Sequence, residues 1–244
     1  MSNGEDPLAE RLVASEVIFR GRVIELRVDT IERGDGRRAR REVAGHRGAV
    51  AVLALDDAGR LVLVRQWRHP AGRALLEIPA GGLDVDPVSG ETEDPAEAAH
   101  RELEEETGLR AGRLERLTDF WTAPGFTSER IFLYLAGDLT PVAAGVRTLD
   151  HDEALEIVRV PWREVVAAAE RGEIRDAKSL VGILLLARRL GSETGGAARD
   201  APAGAGDPSV VAGDTAGAAG APPPPERGRV AYPGSRSRRF RPPL

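Results

Sequence analysis

DPAEAAHRELEEETGL, from Asp94 to Leu109, reads as a capped helix. Asp94 suits an N-cap, because its carboxylate can accept from backbone N–H groups that the first turn leaves without partners. Pro95 suits the first helical position, where its missing N–H costs nothing, and Gly108 stands where a helix stops. At about 100° per residue, Glu102, Glu105 and Glu106 fall on one face, while Ala96, Ala99 and Leu103 form a neighbouring face able to pack on a sheet. Glu97 and Glu104 point elsewhere. Carboxylates at i, i+3 and i+4 repel one another by roughly 0.2–0.5 kcal/mol per pair. A hard divalent cation such as Mg²⁺, which takes oxygen ligands, would turn that cost into a site. Taken alone, the helix favours the plainer reading, an acidic solvated face.

The flanks change the balance. Arg101 to Leu109 follows R-E-U-x-E-E-x-G-U, with U an aliphatic residue, and Glu93 stands eight residues before Arg101. This resembles the Nudix box, the signature of hydrolases that cleave nucleoside diphosphates linked to another group. One position departs from it: the box normally opens with a glycine where Pro87 stands, and the nearest upstream glycines are Gly81 and Gly82. An insertion within Asp84 to Gly90 accounts for the offset, since added loop length costs little closure entropy. Glu93 and Glu91 then both remain candidates for the first acid of the box.

The resemblance extends from about Arg40 to Leu190. RQWRHP (Arg65 to Pro70), EIPAG (Glu77 to Gly81) and TAPGFTSE (Thr122 to Glu129), with Pro124 fifteen residues after Leu109, resemble the ADP-ribose pyrophosphatase branch, as does the stretch Arg171 to Ile174. The implied fold is α+β, a Nudix-type α/β/α sandwich with a mixed sheet. By the same resemblance Glu102, Glu105 and Glu106 hold Mg²⁺, or Mn²⁺ in its place, joined by the backbone carbonyl of Ala80. Arg68 binds the pyrophosphate, a fitting use of a forked cation, and Glu77 joins the substrate-binding set. Glu129 contacts ribose hydroxyls, Phe126 lies near the substrate or packs its loop, and Arg41 is a weaker candidate for phosphate. The extra catalytic carboxylate falls in Leu149 to Ala154, with Glu153 first, Asp152 in reserve, and the box glutamate Glu105 as an alternative. His151 stands where relatives often carry another acid. The plainer readings are a surface ion pair for Arg68 and a solvent-facing loop acid for Glu129.

Elsewhere the pattern alternates between strand and helix signals. Strands are expected in Ser15 to Ile31, with Val17, Phe19, Gly21 and Val23 on one face, and over Arg37 to Val43, Ala49 to Leu55, Leu61 to Arg65 and Leu75 to Ile78. Ile131 to Ala136 and Glu156 to Val160 read likewise. Helices are expected over Pro161 to Arg171 and Asp176 to Leu190, with the apolar run Val181 to Ala187 in the core. Residues 1–45 then form an N-terminal β-region, which by the resemblance would contribute to a homodimer, and 46–190 the Nudix domain. Residues 191–244, about a third Gly or Pro, form a disordered tail.

Composition excludes several classes. The 244 residues carry 34 basic and 39 acidic side chains, a net charge of -5, which argues against wholesale nucleic-acid binding. There is no cysteine, hence no disulfide, thiolate metal site or cysteine nucleophile. No apolar stretch is long enough to span a bilayer, and the polar start lacks the apolar run of a signal peptide. A soluble, cytoplasmic protein is expected, without membrane or nucleic-acid partners. The expected activity is Mg²⁺-dependent hydrolysis of ADP-ribose to AMP and ribose 5-phosphate by a homodimer. The rivals are another nucleotide sugar or dinucleotide as substrate, and a non-catalytic regulator that binds ADP-ribose.

Overall fold

The computed structural model describes residues 6, 8–143 and 154–196, with side chains as far as 191. Of the disordered tail expected over 191–244, residues 191–196 instead continue a helix, and the rest lie outside the described residues, as do Glu153, Asp152 and His151. The chain opens with an antiparallel meander, β1 (Glu10–Arg20), β2 (Glu25–Arg33) and β3 (Arg38–Gly45), in the order β1-β2-β3. The expected face from Val17 to Val23 does not run through. The chain turns between β1 and β2, where the Gly21 N–H donates to the Ile24 carbonyl at 2.9 Å.

The second sheet has seven strands. Its central path is β10 (Leu155–Pro161), β5 (Arg60–Arg68), β4 (Ala49–Leu55), β9 (Arg130–Pro141) and β8 (Leu109–Trp121). The short strands β6 (Arg73–Glu77) and β7 (Ala80–Gly82) pair with β5 and β4. β4 runs parallel to β9 and antiparallel to its other neighbours, so the sheet is mixed. Every residue of β4 except Leu55 is buried, as expected for a strand covered on both faces.

Alternation along the strands feeds two cores. Leu53, Leu61, Leu63 and Leu133 pack on one face against Val165 of α2 (Trp162–Glu170) and Ile183 and Leu186 of α3 (Ala177–Gly196). Val50, Val52 and Val62 pack on the other against Ala98, Ala99 and Leu103 of α1 (Pro95–Thr107). Each fully buried leucine contributes about 1.5–3 kcal/mol. Helices therefore cover both faces of the mixed sheet. The apolar run of α3 is split: Ile183 and Leu186 are buried, whereas Leu184 and Leu185 face outward, and the helix continues past Leu190. β8 was not foreseen. A register shift between Arg116 and Thr118 breaks its alternation, so no single period-two face marks it.

α1 is anchored at both ends. Asp94 Oδ1 accepts from the Ala96 and Glu97 N–H groups at 2.8 and 3.4 Å. Gly108, at φ 69°, takes the left-handed conformation that lets its N–H return to the Glu104 carbonyl. Among the described residues no helix is long and apolar enough to cross a membrane.

Candidate active site

Buried Leu103 fixes the rotation of α1 on the sheet, which turns Glu102, Glu105 and Glu106 towards β7 and the loop before the helix. The positive charge these acids require comes first from their own helix. Arg101 Nη1 donates to Glu102 Oε1 at 2.7 Å and to Glu105 Oε2 at 3.0 Å. Its Nε and Nη2 donate to the two oxygens of Glu93 at 3.1 and 2.8 Å, and Nη2 also to the Gly82 carbonyl at 3.0 Å. Arg101 is thereby held protonated well above the ordinary arginine range, chiefly by Glu93, against the cost of burial. Glu93 is held below the usual carboxylate range by the same hydrogen bonds, so Glu93 rather than Glu91 is the acid that closes this cluster.

β7 completes the wall. The Ala80 N–H donates to Glu106 Oε2 at 3.0 Å, and Glu106 is 2 % exposed. The Glu102 carboxylate lies against Gly81, where a Cβ would stand 2.0 Å from its carboxyl carbon. Only a residue without a side chain leaves that space. Among the described residues no three acids already converge as a ready metal cage. The donor chemistry nevertheless fits a hard divalent ion: carboxylate oxygens on one helix face, two of them gathered by Arg101, with Gly81 leaving room for Glu102. The contact seen at Ala80 is made by its N–H.

A second cluster flanks the first. Arg68, at the end of β5, donates from Nε and Nη2 to the two oxygens of Glu77, each at 2.8 Å. Glu77, at the end of β6, is 1 % exposed and also takes a hydrogen bond from Lys178. Burial pushes the Glu77 carboxyl up, but Arg68 and Lys178 together outweigh it and hold it below its ordinary range. Arg68 is raised by Glu77, with smaller contributions from Asp176 and Glu106. The structure thus places Glu77 behind Arg68, orienting it.

The loop from Thr122 to Glu129 is tied to the N-terminal sheet. The Ala44 N–H donates to the Phe126 carbonyl at 2.7 Å, and the His46 N–H to Ser128 Oγ at 2.9 Å. Glu129 Oε2 accepts from Thr122 Oγ1 at 2.7 Å, and its Oε1 lies 3.8 Å from His46 Nε2. The Phe126 side chain is exposed. Arg41 lies on β3, paired with Glu10 of β1, in the N-terminal sheet. Three participants escaped the sequence reading. The reach of Arg101 into the acids was implicit in its i, i+1 and i, i+4 spacing. His46 carried no signal, and the one lysine, Lys178, was masked by the arginine bias of the chain.

Comparison with known proteins gives the family and the fold. The NUDIX domain profile matches residues 45–183. An ADP-ribose pyrophosphatase of Bacillus subtilis (strain 168) is 41% identical over 179 residues, covering 73% of this chain and 93% of that protein. A methanol dehydrogenase activator of Bacillus methanolicus is 38% identical over 179 residues, 72% of this chain and 92% of its own. Among solved structures, an ADP compounds hydrolase superposes with a TM-score of 0.63 at 26% identity, over 75% of this chain and 95% of that one. With its box on α1, its mixed sheet between helices and relatives matched over most of their length, the chain belongs to the Nudix family of pyrophosphohydrolases.

Proposed function

We propose that this protein hydrolyses ADP-ribose to AMP and ribose 5-phosphate in a Mg²⁺-dependent reaction that also accepts Mn²⁺. The observation that carries the reading is the acid excess around Arg101, set against β7, with Arg68 beside it. The substrate choice is supported by the 41% identity to an ADP-ribose pyrophosphatase. Glu102, Glu105, Glu106 and the Ala80 carbonyl would hold the metal. When bound, it would neutralise diphosphate charge and lower the pKa of a water molecule. Arg68, oriented by Glu77, pairs with the diphosphate. Glu129 faces the ribose hydroxyls, with Phe126 near the substrate and Arg41 a further phosphate contact. Glu153, or Glu105, takes the proton of the attacking water as its oxygen bonds phosphorus. The bridging P–O bond breaks and the second phosphate leaves.

A homodimer is part of the proposal. β1 leaves Leu12, Val17, Ile18 and Phe19 exposed, more apolar surface than a lone edge strand presents without a partner. Sedimentation of the parent beside Val17→Ser/Phe19→Ser checks it, with a shift from dimer to monomer expected. A second reading, regulation of a partner enzyme, is favoured by the relative named as a methanol dehydrogenase activator.

The deciding experiment is product chromatography with ADP-ribose and Mg²⁺, beside Glu106→Gln and a nucleotide-sugar panel. AMP from the parent alone supports the proposal, with turnover in Glu106→Gln lowered by at least about a hundredfold. Preferred turnover of another panel member keeps the chemistry and replaces the substrate. ADP-ribose bound but never cleaved replaces hydrolysis with regulation.

A further inference from the structure

Lys178 is the chain's one lysine, and the reaction proposed above gives it no part. It stands in the first turn of α3, where a cation opposes the helix macrodipole, so helix stability does not account for it. Its side chain is 12% exposed, and its Nζ lies between two carboxylates, donating to Glu77 Oε2 and standing 3.1 Å from Asp176 Oδ2. Asp176 is itself fixed, because its Oδ2 accepts from the Ser179 N–H at 3.0 Å and from Ser179 Oγ at 2.6 Å. Ser179 Oγ in turn accepts from the Ile78 N–H at 2.9 Å, just upstream of β7.

A continuous chain of polar contacts therefore runs from the start of α3 through Lys178 and Glu77 to the Arg68 guanidinium. Glu77 is too buried to meet a substrate, and both its oxygens accept from protein cations. Arg68 gives Nε and Nη2 to Glu77, which leaves Nη1 as the edge that Glu77 does not engage. Charge counting shows what Lys178 adds. With it, two cations balance Glu77 and Asp176. Without it, the group carries one net negative charge beside Glu106, and Arg68 alone must compensate the buried Glu77.

We propose that Lys178 is a positioning residue for the substrate diphosphate: by sharing Glu77 and Asp176 it holds Arg68 in place and leaves the arginine's charge available to the anion. The inference rests on the hydrolase reading above and deepens it, since Lys178 acts only through Arg68. An ordinary structural role, docking α3 on the sheet, would lower stability without moving substrate affinity.

The test is steady-state kinetics of the full chain on ADP-ribose with Mg²⁺, with a thermal melt of each variant. Lys178→Met and Lys178→Gln are expected to raise KM about tenfold, the loss of one charge-assisted hydrogen bond, with kcat nearly unchanged. Lys178→Arg keeps the charge and brings KM back towards the parent. In an Arg68→Met background, Lys178→Met adds no further rise, because the residue it positions is gone. Lys178→Gln nearly preserves shape and carries the same comparison if Lys178→Met does not fold. An unchanged KM with a lowered melting temperature overturns the inference, and so does a KM effect that persists in full beside Arg68→Met. In either case a parent that turns over leaves the functional reading standing. A parent that cleaves no nucleoside diphosphate sugar overturns both.

Discussion

The two ion-pair clusters beside β7 differ in their charge balance. Around Arg101, one guanidinium serves Glu93, Glu102 and Glu105; around Glu77, two cations, Arg68 and Lys178, meet two carboxylates, Glu77 and Asp176. The first is partly exposed, so water and mobile ions screen the surplus of acids, and that surplus is what a divalent cation can use. At the centre of the second, Glu77 is buried and Lys178 nearly so, where an unbalanced charge is expensive, so acids and cations match in number. One cluster keeps negative charge in reserve. The other spends its charge internally to hold one arginine in place.

Unbalancing the buried cluster should have the largest effect. Glu77→Gln leaves Arg68 and Lys178 without their shared anion and should cost roughly 3–5 kcal/mol of stability, read by urea denaturation. A loss no larger than that of Glu93→Gln would erase the distinction between the clusters. Gly81→Ala probes the acid-rich cluster without touching a charge. The new methyl must displace the Glu102 carboxylate, the far end of a flexible side chain. Turnover should fall by up to about a hundredfold while stability is nearly unchanged, because a misplacement of about 1 Å is costly to chemistry alone.

The pH dependence of stability sharpens the comparison further. Glu77 and Glu93 both have folded-state values below their ordinary range, so each contributes stability that is present above the unfolded-state value and lost as pH falls through the folded one. Stability against urea should be flat between about pH 7 and 5 for these groups and decline below about 4.3. Glu77→Gln and Glu93→Gln should each flatten that decline, and an acid limb identical to the parent's in both would mean other carboxylates govern it. The smallest effect belongs to the cap. Asp94→Ala should cost about 1 kcal/mol by thermal melt, since it removes the acceptor of the first turn but leaves Gly108 and the packing of Leu103.

Much of this architecture is legible locally. The span of α1 followed from Asp94, Pro95 and Gly108, because caps act over three or four residues and need no distant partner. The strands from Ala49 to Leu55 and Leu61 to Arg65 announced themselves as apolar runs about a short turn. β8 escaped because its bulge breaks the period-two pattern that makes a strand readable. The break between β1 and β2 escaped because an apolar alternation on either side of Gly21 looks continuous until the strands pair.

The site divides the same way. That Glu102, Glu105 and Glu106 share a face is a consequence of helical periodicity, and their match to the Nudix box, with the family membership it implies, is written in nine consecutive residues from Arg101 to Leu109. Helical periodicity is a property of neighbours, so sequence alone determines it. Which charges meet was decided only by the tertiary structure. Glu77 finds Lys178 across 101 positions, and Ala80 finds Glu106 across 26, because packing of α3 and α1 on opposite faces of one sheet brings their ends to β6 and β7. No local pattern encodes such distances; they arise when buried polar groups must find partners inside a core already fixed by its apolar residues.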